Sequence, residues 1–423
     1  MQESFLQYLW KYSLYSNQPL SLVGGAPIEV INAGEHNTNS GPDFFNAKIK
    51  IGETVWAGNL EIHVRSSDWL KHHHESDAAY NNVILHVVAQ HDTEIKRPNG
   101  EPLPVLELQA PKGLYEQYLY LMQNNGWVPC EAFIAKIDDF AIFQWKESLL
   151  VERLHEKAEL INERFTRNNN HWEETFYQTL AANFGFKTNA QPFEMLARSL
   201  LLTHLAKHKD QLNLIEAMLF GQSGLLPKKN DDNYTHQLIT DFDHFSNKFA
   251  LKPMSSHLWK FSRLRPVNFP TIRLAQFAAL VHSSSSLLSK ILDAADYHDL
   301  AALFQVKAST FWDTHYVFDK KSPFREKHLG EDAFHNILIN TLAPFLFFYG
   351  NIRKQPSLTE KAMEWLSKVP PEQNAIIEHW NQLGMKSENA FDTQALIQLK
   401  NNYCSHRRCL NCQIGNQVIR HRF

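Results

Sequence analysis

Hydrophobic and polar positions along this chain change their period near residue 110. At the start, Phe5, Leu6, Leu9, Trp10 and Tyr12 cluster at helical spacing and predict a short helix over Glu3–Tyr15. Four runs of strand character follow, Ile28 to Ala33, Phe44 to Ile51, Thr54 to Arg65 and Val83 to Ala89. Between the third and fourth, residues Ser67 to Asn82 open with a Ser/Asp cap signal and predict one or two helical turns. Leu103 to Gln109 is interrupted by Pro104 and reads as an edge strand. From Pro111 to Leu399 the period is helical. Trp172, Phe176 and Leu180 recur every fourth residue before a stop at Gly185, and Pro270 is positioned to start a helix after a rigid connector from Arg263. Asp231 to Phe249 is polar and reads as a loop with short turns. The pattern predicts an α+β protein. A mixed α/β sheet domain of order αβββαβ occupies residues 1–110, a large α-helical domain residues 111–400, and a cysteine-bearing basic tail residues 401–423.

Composition narrows the chemistry. With 423 residues, 43% hydrophobic, 21% charged and a net charge of −3, the chain has the make-up of an ordinary globular protein. No global field draws nucleic acid or an acidic membrane, so any nucleic-acid contact must be a local patch, to which Arg263, Arg265 and Arg273 are candidates. The first ten residues lack a basic stretch followed by an apolar run, and the most apolar later segment, Asn336 to Gly350, is broken by Asn340 and Pro344. Neither a signal peptide nor a spanning helix is expected, and four cysteines make no disulfide framework, so a cytoplasmic address is expected. The sequence has no GxGxxG, GxxxxGK[ST], HExxH or GxSxG, which leaves nucleotide hydrolysis, dinucleotide redox chemistry and serine esterase chemistry without support.

Candidate chemistry concentrates on two neighbouring strands. In Asn59-Leu-Glu-Ile-His-Val-Arg65, strand alternation puts Asn59, Glu61, His63 and Arg65 on one face. One strand earlier, Ser40-Gly-Pro-Asp43-Phe44 places a carboxylate where a turn enters a strand. If these strands pair through the turn at Gly52-Glu53, Asp43 and Glu61 come close. Two adjacent carboxylates repel unless a divalent cation lies between them. Oxygen ligands suit Mg²⁺ or Mn²⁺, which polarise a phosphoryl oxygen and activate water. Alternation places Lys48 and Lys50 on the face opposite Asp43. His72, His73 and His74 cannot share one helical face, so at most two can contribute to a site, and His86 reads as a hydrogen-bonded core residue.

The order αβββαβ, with Pro42-Asp43 at the second strand and Glu61-Ile62-His63 on the third, resembles the core of the PD-(D/E)XK nucleases, whose motif is an aspartate followed by acid-x-lysine. The resemblance implies a restriction-endonuclease-like fold and a metal-dependent phosphodiester hydrolase acting on DNA or RNA. Asp43 and Glu61 would be metal ligands with Glu35 as a further acidic ligand, His63 would assist the water from the family's lysine position, and Arg65 would contact phosphate. Histidine in place of lysine leaves either a variant catalyst or a catalytically inactive scaffold binding nucleic acid or a protein partner. A histidine-based zinc hydrolase using His63, His72 and His86 is a third alternative. At the level of the whole chain, GPDFFNAKI, GNLEIHVRSSDW, YNNVILHVV and YCSHRRCLNC resemble a bacterial family known only as a domain of unknown function.

Three of the four cysteines crowd into the last twenty residues as Cys404-x4-Cys409-x2-Cys412, in a stretch rich in Arg407, Arg408, Arg420 and Arg422. The C-x2-C hook lets two sulfurs face one ion, as in zinc and iron–sulfur sites. The fourth ligand would be His406 or Cys130.

Overall fold

The computed structural model describes residues 1–15, 19–97, 99–111, 113–228, 232–284 and 286–420, so Asp231 and Arg422 lie outside the described residues. The chain forms two compact units, residues 1–143 with 400–423, and residues 144–399. The sequence division broke the chain at 110 and 400. The compact units instead group residues 111–143 and the cysteine tail with the sheet.

In the sheet unit, helix α1 (Glu3–Lys11) buries Phe5, Leu6, Tyr8, Leu9 and Trp10, and the Trp10 indole donates to the Ala33 carbonyl at 2.9 Å. Strands β1 (Ile28–Asn32), β2 (Glu35–His36), β3 (Phe44–Ile51) and β4 (Thr54–Arg65) follow, then a short helix α2 (Asp68–Lys71), β5 (Val83–Gln90) and β6 (Val105–Glu107). They form one mixed six-stranded sheet of order β1-β3-β4-β5-β6, with β2 also on β3. β3 is antiparallel to β1, β2 and β4, whereas β4, β5 and β6 run parallel. A parallel pair requires a crossover. Here α2 and a 3-10 turn at Ala78–Tyr80 supply it. The run Val83 to Val88 is buried throughout, as befits a strand covered on both faces. Gly58 allows β4 to approach the start of β5, because a Cβ there would lie 2.5 Å from Ile84 and 2.6 Å from the Asn82 carbonyl.

One irregularity moves side chains to the other face. On β3 the register steps from Phe44↔Leu60 to Ala47↔Gly58, three residues against two, with Asn46 at φ 57°. This bulge flips the alternation. Lys48 and Lys50 therefore share the face of Glu61 and not the opposite one. Lys48 nevertheless pairs with Ala57, four residues or about 13 Å along the strand from Glu61.

The unit from 144 to 399 is helical, with a two-stranded ribbon of His315–Val317 and Lys320–Lys321. Helices make up 56% of the described residues. The segment read as a loop after Asp231 is a helix, Asn233–Phe249. Asp232 caps it by accepting from the Thr235 amide, and Thr235, Leu238, Phe242 and Phe245 form its buried stripe. Its polar residues occupy the other faces. Pro270 does begin a helix, Pro270–Ser283. Arg273 on it is buried, bonded to Gln276 and Asn268, and cannot serve a surface track. Among the described residues no helix is long and apolar enough to cross a membrane.

Candidate functional site: a pocket of acids and histidines

The antiparallel register of β3 and β4 sets the two acids side by side. The Asp43 amide donates to Glu61 Oε2 at 3.1 Å and the Ile62 amide donates to Asp43 Oδ2 at 2.9 Å, so each carboxylate is held by the other's strand. Helix α1 adds Gln7, whose Nε2 donates to Asp43 Oδ1 at 2.9 Å. Glu61 Oε1 points the other way, 3.5 Å from His63 Nε2 and 3.3 Å from His74 Nε2.

The histidines reach this point through local backbone chemistry. His63 follows Glu61 by one full alternation on β4. After α2 the chain turns in a Schellman-like motif in which the His74 amide donates to the Trp69 carbonyl, the His73 amide donates to that of Leu70, and His73 takes the left-handed conformation at φ 60°. That turn throws His73 outward, its side chain 81% exposed, and swings His72 and His74 to the same side. His63 Nε2 lies 3.0 Å from His72 Nδ1, and His63 Nδ1 lies 2.9 Å from His86 Nε2, on β5 opposite Glu61 in register. His63, His72 and His74 offer three ligand atoms within 4.8 Å of one another, the one such group of His, Cys, Asp or Glu among the described residues. Tyr80 stacks on His74 with centroids 3.8 Å apart.

Electrostatics follow from burial. Glu61 is 5% exposed and His63 1%. Burial, reinforced by the Asp43 charge, pushes the Glu61 carboxyl up to about 9. Burial also raises Asp43, and Glu3 on α1 is pushed up to about 7 by burial and then by Asp43 and Asp68. His63 and His86 are each held down to about 3, by burial first and by neighbouring imidazoles next, and His74 is lowered by burial and His72. At neutral pH the contacts of Glu61 with His63 and His74 are thus those of a neutral acid with neutral imidazoles, although their distances fall in the range of ion pairs. Neutral imidazoles present lone pairs, and an arriving cation would displace the carboxyl proton.

The other expected site residues lie apart. Glu35 is exposed on β2, paired with Phe45, and its carboxylate forms no ion pair among the described residues. Arg65 is exposed at the end of β4, its amide donating to Asp68. The sequence pointed to His72 only in the histidine-based zinc alternative, and sequence reasoning missed Glu3, Gln7, His74 and Tyr80. A Ser/Asp-capped helix of one turn followed by His-His-His was the only signal for the histidines, and the two α1 residues carried none.

A family model described as a protein of unknown function, DUF2851, matches residues 3–375. The chain belongs to this family. The span of DUF2851 includes every residue of the pocket. No curated protein matches the chain, and no solved structure does.

Proposed function

We propose that the sheet unit is a divalent-metal-dependent phosphodiester hydrolase acting on DNA or RNA, on a restriction-endonuclease-like core. The observation that carries this reading is the setting of Glu61, whose carboxyl faces His63 and His74 on one side and the Asp43 amide on the other. Further support comes from the antiparallel β1-β3-β4 meander followed by a crossover to parallel β5, with one acid entering β3 and the second on β4. Glu61 and Asp43 would hold the cation together with His63, His72 and His74. Carboxylate oxygen mixed with neutral imidazole suits Mn²⁺ or Zn²⁺ better than Mg²⁺. Such a cation supplies Lewis acidity for attack on phosphorus. His86 fixes the ring of His63, the usual work of an outer partner to a ligating histidine. Arg65, exposed at the end of β4, is placed to meet a phosphate.

The test is cleavage of mixed single- and double-stranded DNA and RNA with Mg²⁺, Mn²⁺ and Zn²⁺ by the wild type, Asp43→Ala and Glu61→Gln. Cleavage by the wild type alone is expected. No cleavage by the wild type with any of these ions overturns the hydrolase reading.

A second reading, an inactive nuclease-like scaffold, is favoured by one observation: Glu61 and His63 are too buried to meet a phosphate without movement. In that case the pocket binds the ion and nothing is cut, and His63→Lys, which restores the family's lysine, gains cleavage.

A further inference from the structure

The cysteines form a second centre, remote in sequence from the acids and independent of the hydrolase reading. All four are buried and none forms a disulfide. Three belong to the end of the chain. Cys404 closes the helical turn Leu399–Cys404, Cys409 opens the 3-10 turn Cys409–Asn411, and Cys412 immediately precedes the helix Gln413–Arg420. Cys130 stands before the 3-10 helix Glu131–Lys136 of the same unit.

The backbone is shaped to bring these segments together. Lys400 Nζ donates to the Trp127 carbonyl at 2.7 Å, three residues from Cys130. The Arg407 guanidinium donates to the carbonyls of Leu121 and Met122 and to Asn125 Oδ1, tying the tail to the segment that leads to Cys130. Arg407 itself takes φ 52°, a left-handed turn between Cys404 and Cys409. Gly415 packs so closely that a Cβ would lie 2.2 Å from the Cys409 carbonyl. The four thiols lie close enough for every pair among them to interact electrostatically.

We propose that Cys130, Cys404, Cys409 and Cys412 together hold a polynuclear iron–sulfur cluster that fastens the C-terminal segment to the 121–136 region. Spacing along the chain favours this over a single zinc. The C-x4-C-x2-C spacing with one remote cysteine is itself one that iron–sulfur sites use.

The experiment is iron, zinc and acid-labile sulfide analysis of the full chain purified without oxygen, with its visible absorption spectrum, for the wild type, Cys130→Ser, Cys409→Ser and Asp43→Ala. Several irons with matching sulfide and broad visible absorption are expected in the wild type and in Asp43→Ala, and loss of both in the two cysteine variants. One zinc per chain without sulfide overturns the proposal, as does a wild type that holds no iron after anaerobic reconstitution with iron and sulfide. Because the wild type by itself can support or overturn the proposal, a cysteine variant that fails to fold does not shield it.

Discussion

The two units bury polar groups by opposite logics. In the helical unit each enclosed cation meets an acceptor: Lys146 Nζ lies 2.9 Å from Asp392 and 3.0 Å from the Lys386 carbonyl. Lys157 Nζ donates to the Ile339 carbonyl, Asn340 and Gln394 within 3.2 Å. In the sheet unit like meets like. The buried Glu61 and the half-buried Glu3 and Asp43 disfavour one another's ionisation beside four imidazoles, of which His63 and His86 are buried, His74 half-buried and His72 exposed, and among the described residues no lysine or arginine forms an ion pair with any of the three acids. The first arrangement is complete as it stands and reads as architecture. The second is uncomfortable without a proton or a cation from solution, and discomfort concentrated in one pocket is the mark of a site kept for chemistry.

Replacement of Glu61 should break this contrast most strongly. A carboxyl whose folded pKa is near 9, against an ordinary 4.5, carries a penalty that is absent below about pH 4.5 and grows as pH rises toward 9. Glu61→Gln therefore stabilises the metal-free protein at pH 7 by on the order of 3 kcal/mol, seen as a raised denaturation midpoint, while it removes cation-dependent cleavage. A variant less stable than wild type would show that the carboxyl is structural. His86→Gln leaves the ligands in place but frees the His63 ring, so Mn²⁺ affinity measured by calorimetry should fall roughly 10- to 100-fold. Unchanged affinity would remove His86 from the account.

The helical unit should show the opposite pH response. Part of the Lys157 stem is accessible, but its amino group is enclosed, and burial holds it down to about 7. Between pH 7 and 10.5 the unfolded chain binds a proton here that the folded one does not, so stability rises with pH in that window. The wild type should gain about 2 kcal/mol on Lys157→Met between pH 7 and pH 9, read from paired denaturant curves; a constant difference would contradict the enclosed amine. The smallest effect belongs to His73. It points outward near Glu75, and its left-handed backbone suits glycine, so His73→Gly should leave Mn²⁺ affinity within roughly twofold. A large loss would mean that His73 reaches the pocket after all.

Period carried the sheet unit far. Alternation from Phe44 to Arg65, the capped turn at Ser67 and the apolar run Val83 to Val88 give the order of elements, and spacing 18 positions across one hairpin brings Asp43 to Glu61. What escaped was made by single backbone departures. The bulge at Asn46 reversed the face of Lys48 and Lys50, and the left-handed His73 put His72 and His74 together although helical spacing forbids it. Glu3 and Gln7 meet Asp43 through packing of α1 on the sheet, a contact that no local pattern encodes. The helix Asn233–Phe249 was hidden by polar residues on its outer faces, although Leu238, Phe242 and Phe245 already held the helical stripe.

The most direct test is to locate the ion. Crystals of the full chain equilibrated with Mn²⁺, and separately with Zn²⁺, should show an anomalous scattering peak between Glu61 Oε1 and the rings of His63 and His74, absent from Glu61→Gln. If at saturating ion the pocket stays empty in both, the acids and histidines do not form a cation site and the central claim is contradicted.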